Sequence, residues 1–177
     1  MCAFPAPNES APNLGKKDWS RHTRAPVSDL YFAYGSNMAA MRLAARLGEA
    51  RPLGRAQLAH FELAWNKPGA DGSGKANVCA RVGAVTWGVL FALEPREWAL
   101  LDGFEPGYAR ESHVVRDAAG HECSAQLYRW RRETPNRPPT PEYLALVVAG
   151  AREHGIPEAE IARIQSIAQR GAAGRSA

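Results

Sequence analysis

Two short stretches carry residue types that chemistry needs. Residues 31–38 read YFAYGSNM: an apolar, strand-forming run breaks at Gly35, Ser36 and Asn37 before a second apolar run begins. Those three residue types suit a turn or a helix cap. A turn that opens a helix also presents backbone N–H groups to a negative charge. Residues 100–108 read LLDGFEPGY, with Glu105 in a Gly/Pro-punctuated turn between Phe104 and Tyr108. A glutamate in such a turn is ordinarily solvated. Apolar and aromatic neighbours, however, are what a general base with a raised pKa requires.

Two other stretches imitate chemistry without completing it. Residues 69–76, GADGSGKA, satisfy G-x-x-x-x-G-K but place Ala76 where a phosphate-binding loop needs a magnesium-binding Ser or Thr. A strand pattern follows instead of a helix, so the phosphate would lack its row of N–H donors. The stretch reads as a Gly-rich connection between strands. Ser36 in a strand-turn-helix setting suggests a nucleophile elbow, but A-Y-G-S-N departs from G-x-S-x-G, and no histidine has an evident triad setting.

The surrounding elements must position these groups. LYFAY (30–34) reads as a strand, and Ser36 or Asn37 as the cap of a helix through Leu47, stopped at Gly48. A strand ending in FELAW precedes the loop 66–75, and ANVCARV and AVTWGVLFAL read as two strands separated at Gly83. Pro95 opens a short helix, REWALLD, that gives out at Gly103. YARESHVVRD and HECSAQLYRW form a hairpin about AAG, and two helices follow from Pro141 and Pro157. Strands that mostly neighbour one another, with few crossover helices, imply an antiparallel-dominated sheet or small barrel.

Composition sets the bounds. The 177 residues fit one domain at 29–168, with an N-terminal tail (1–28) rich in Pro, Asn and Ser expected to be disordered and a flexible C-terminal tail (169–177). The formal net charge of +4 comes from the tails, +2 in each; the 16 basic and 16 acidic residues between them cancel. A basic face in the body, which nucleic-acid binding needs, is therefore not expected. No run is apolar over a membrane-spanning length, and the N-terminus lacks a signal-peptide layout. Cys2, Cys79 and Cys123 are scattered without metal-ligand spacing, so a reduced, cytoplasmic chain without a zinc site is expected.

Taken together, YFAYGSNM, FELAWNKPGADGSGKANV, VTWGVLFAL, LLDGFEPGYAR and PPTPEYLALVVAGAREHGIP occur in the order seen in γ-glutamylcyclotransferases, and residues 30–168 resemble that family. The resemblance implies an α+β fold, a small antiparallel-dominated mixed β-barrel flanked by helices, and release of 5-oxoproline from a small γ-glutamyl compound, with no metal or organic cofactor. It also implies that Glu105 is the catalytic carboxylate, with Tyr34, Gly35, Ser36, Asn37 and Tyr143 around the substrate. Tyr143 has a second reading, as a core residue in register with Val147. Pro106 separates Glu105 from Gly107, whereas the family's glycine follows its glutamate directly. Amino acid, amine, glutathione and biosynthetic γ-glutamyl substrates all remain open, as do a monomer and a homodimer. A non-catalytic γ-glutamyl-binding module is the alternative from another class.

Overall fold

A computed structural model describes residues 30–173. The expected tail at 1–28 and the last residues of the expected C-terminal tail lie outside the described residues. Five strands close into a barrel in the order β1-β3-β2-β4-β5: β1 (Leu30–Ala33), β2 (Pro52–Pro68), β3 (Gly74–Ala92), β4 (Ala109–Asp117) and β5 (Glu122–Arg129). All neighbours are antiparallel except β1 and β5, which close the barrel in parallel through Tyr31 and Gln126. The helices are α1 (Ala40–Leu47), α2 (Pro95–Phe104), α3 (Pro141–Glu153) and α4 (Glu158–Ala173). The mixed, antiparallel-dominated barrel flanked by helices is the fold that the resemblance implied, and it resolves the choice between sheet and barrel that the strand pattern left open.

Three local readings change. The connection expected over 66–75 shortens to a tight turn, because β2 continues to Pro68 and β3 begins at Gly74. The two strands expected on either side of Gly83 are one long strand. A register shift between Ala59 and Phe61, with His60 at φ 63°, bends β2 there, and the Gly83 amide donates to His60 Nδ1 at 3.2 Å. Such a bulge lets a pair of strands turn a barrel corner without ending. The helix expected from Ser36 is interrupted: Ser36–Met38 form a single 3₁₀ turn, Ala39 is extended, and α1 starts at Ala40. Neither the Ser36 nor the Asn37 side chain caps it.

Phe32, Trp65, Val78, Val89, Phe91, Val115 and Leu127 are fully buried in one hydrophobic core that the barrel and its flanking helices share. Two helices then fix the ends of the chemically interesting stretches. The Glu94 and Glu97 side chains form a reciprocal capping box at the start of α2, and Glu97, nearly fully buried, also pairs with Arg51. With Trp98 and Leu101 buried beneath it, α2 runs through Gly103 and delivers Glu105 at its C-terminal cap. Thr140 caps α3 by accepting from the Tyr143 amide at 3.2 Å, as Thr does at an N-cap. That helix is the main support of the Ser36–Met38 turn.

Gly150 makes this support possible. A Cβ there would stand 2.8 Å from Met38 Cβ, inside any normal contact. Gly150→Ala gains up to about 1 kcal/mol of helix propensity, yet it must push α3 off the turn at a cost of about 1–3 kcal/mol. The expected result in thermal unfolding is a lower Tm; an unchanged or higher Tm would show that α3 does not hold the turn this closely.

Candidate active site

A cavity of about 300 Å³ opens where the 3₁₀ turn, the C-terminal end of α2, the first turn of α3 and the β2–β3 turn meet. Glu105, Tyr34, Gly35, Ser36, Asn37 and Tyr143, six residues from three distant stretches, all line it. Its size suits a dipeptide-sized ligand.

Glu105 is held from one side. Its Oε1 accepts from Asn37 Nδ2 and from Arg46 Nη1, both at 2.9 Å, while Asn37 Nδ2 also reaches the Tyr31 hydroxyl at 2.9 Å. Oε2 has no protein donor among the described residues. The side chain is only 14% exposed. Burial pushes its carboxyl above the usual glutamate value; Arg46, Asn37 and, at longer range, Lys67 pull it back down. A carboxylate with one oxygen anchored and the other free can take up and return a proton without losing its place.

The 3₁₀ turn forms the adjacent wall. Gly35 permits close approach: a Cβ there would lie 3.1 Å from Ala76 Cβ and 3.4 Å from the Tyr143 hydroxyl. The Ala76 amide donates to that hydroxyl at 3.4 Å, and Ser36 lies beside it. Burial raises the Tyr143 pKa and keeps the phenol protonated. Tyr143 also stacks edge-on against Trp65, with ring centroids 6.2 Å apart, so its pocket and core readings both describe it. Tyr34 is more structural, since its hydroxyl donates to the Tyr128 carbonyl and ties β1 to β5.

Several lining residues escaped the sequence reading: Arg42, Arg46, Lys67 and Tyr31. Tyr108 donates to the Ala76 carbonyl at 2.6 Å and fixes the turn after Glu105. The available signal was the spacing of Arg42 and Arg46, one helical turn apart in the helix that follows YGSN. Asp102, the other acid of LLDGFEP, is not among the lining residues; it accepts from the Tyr128 hydroxyl at 2.6 Å. The Gly69–Ser73 turn closes with Gly69 N–H donating to the Ser73 carbonyl at 2.8 Å and leads into a strand, not a phosphate-cradling helix. Among the described residues no group of three or more His, Cys, Asp or Glu side chains is placed to hold a metal ion, and no helix is long and apolar enough to cross a membrane.

Comparison with known proteins bears on the family and the fold. Residues 85–164 match the model of the AIG2-like family. The γ-glutamylcyclotransferases of Bos taurus and Homo sapiens are each 30% identical to this chain over 139 residues, covering 73% of this chain and 73% of each relative. A solved γ-glutamyl cyclotransferase superimposes with a TM-score of 0.73 at 26% identity, over 78% of this chain and 86% of that one. YkqA of Bacillus subtilis shares the fold, with a TM-score of 0.68 at 20% identity over 78% of this chain and 53% of its own.

The clamp on Glu105 makes a signed prediction. Arg46 favours the ionised carboxylate, so removing its charge leaves burial to dominate. In Arg46→Met the Glu105 pKa, followed by carbon-detected NMR titration, should rise by about 1–3 pH units; an unchanged or lower value would show that Arg46 does not set it.

Proposed function

The chain belongs to the γ-glutamylcyclotransferase family, and from that premise we propose that it cyclises the γ-glutamyl group of γ-glutamyl amino acids or amines to 5-oxoproline and releases the amino acid or amine. The observation that carries this reading is the one-sided anchoring of Glu105 at the mouth of the Tyr34–Asn37 turn.

The reaction joins two parts of one molecule. The α-ammonium of the glutamyl group gives a proton to Glu105, and the freed amine attacks the side-chain amide carbonyl. A five-membered ring closes and the carbonyl oxygen becomes an oxyanion. Glu105 then returns the proton to the departing nitrogen, the carbon–nitrogen bond breaks and the carbonyl re-forms; the second proton still on the ring nitrogen passes through Glu105 to the released amine, which leaves as its ammonium. Nucleophile and electrophile are already tethered, so the cavity's task is to select the curled conformer and relay protons from the attacking nitrogen to the leaving one. A single carboxylate can serve each transfer in turn. The backbone amides of Gly35, Ser36 and Asn37 are the donors assigned to the developing oxyanion, where fixed dipoles in a partly dry site are most effective. The Tyr143 phenol, kept protonated by burial, supplies a further donor at the same wall.

The direct assay is incubation with γ-glutamyl amino acids, γ-glutamyl amines and glutathione, with 5-oxoproline followed by mass spectrometry. Product is expected from at least one class; product from none would leave a γ-glutamyl-binding module instead. Glu105→Gln keeps the shape and removes the base, so kcat should fall by about 10²–10⁴-fold, with a smaller change in KM. Near-normal turnover of that variant would assign the proton transfer to another group.

A further inference from the structure

The cavity holds more positive charge than the chemistry above uses. Arg42, Arg46, Lys67 and Lys75 line it, against the single carboxylate of Glu105. Two of these cations are engaged. Arg46 is paired with Glu105, and Lys75 binds Asp71 at 2.9 Å and the Ser73 hydroxyl at 2.8 Å. Arg42 and Lys67 have no carboxylate within ion-pair distance among the described residues, and Arg42 Nε is buried without any partner. A half-buried cation without a counter-ion is costly unless a ligand supplies one.

Every γ-glutamyl compound brings one carboxylate, that of the glutamyl α-carbon. Arg42 lies on α1 one turn before Arg46, at the end of the cavity where Glu105 works, and is the natural partner for it. Lys67 then remains. Its ammonium lies 5.3 Å from the centre of the Tyr108 ring and 5.9 Å from that of Trp130. Contact with two aromatic faces limits its rotamers, so little entropy is lost when it meets an anion.

We propose that Lys67 is a specificity-determining residue that binds a carboxylate on the leaving group, so that γ-glutamyl amino acids are preferred over γ-glutamyl amines. This rests on the γ-glutamyl reading above.

γ-Glutamyl-alanine and γ-glutamyl-ethylamine differ only by the leaving-group carboxylate, so the ratio of their kcat/KM values isolates it. A hydrogen-bonded charge pair of this kind corresponds to about 10–100-fold. The wild-type enzyme should favour γ-glutamyl-alanine by about that factor. Lys67→Met should remove most of the preference, chiefly through KM, and Lys67→Arg should keep most of it. Effects of the substitution on folding or on Glu105 itself act on both substrates and cancel in the ratio. Equal wild-type use of the two compounds, or a ratio unchanged in Lys67→Met, would overturn the inference while 5-oxoproline formation still supports the reaction. Formation of 5-oxoproline from neither compound would overturn the reaction and this inference with it.

Discussion

The site depends on accommodating one carboxylate in a place from which water is largely excluded. Burial alone would protonate Glu105 or expel it. Two donors on a single oxygen, Asn37 Nδ2 and Arg46 Nη1, offset that tendency without occupying the other oxygen. The rest of the architecture follows from having to bring these three residues together. The capping box of α2 fixes where Glu105 emerges, the 3₁₀ turn aims Asn37, and α1 carries Arg46 back towards the cavity. None of these elements could slide without changing the proton affinity of Glu105.

This arrangement explains the interrupted start of α1. A continuous helix from Ser36 would have engaged the Ser36 or Asn37 side chain as a cap. With Ala39 extended instead, Asn37 is released to bind Glu105 and Tyr31, and Ser36 turns towards Tyr143. The local cost of an uncapped helix is about 1 kcal/mol, modest beside the penalty for leaving a buried carboxylate unpaired. The tyrosines have a related purpose. Tyr34, Tyr108 and Tyr128 bind backbone carbonyls or Asp102 rather than the open cavity, so they act as rigid struts.

What could be read in the sequence was what depends on neighbours along the chain. Alternating apolar residues, Pro95 and Pro141 at helix starts and the AAG turn carry the element order and an antiparallel-dominated sheet or small barrel. The long strand β3 reads as two because Gly83 looks like a terminator, whereas the register shift opposite it at His60 is decided by barrel closure. At the site, Glu105 and the YGSN turn were visible as motifs, but their partnership was not. Asn37 and Glu105 are 68 residues apart, and Arg46 and Glu105 are 59. Nothing in LLDGFEPGY distinguishes a solvated glutamate from one clamped by an arginine on another helix. Lys67 was hidden for the same reason, since only folding places it against Tyr108 and Trp130.

The central claim is that the ionised Glu105, tuned by this clamp, is the base of the reaction. The most direct test compares two numbers from the same wild-type protein. One is the pKa of Glu105 from its own NMR titration; the other is the pKa of the acid limb of kcat/KM for a γ-glutamyl substrate, which reports the free enzyme's essential base. The account predicts that they coincide, both above the ordinary glutamate value because burial raises it. An acid limb more than about one pH unit from the Glu105 titration, well outside the spread expected for one and the same group, would contradict it.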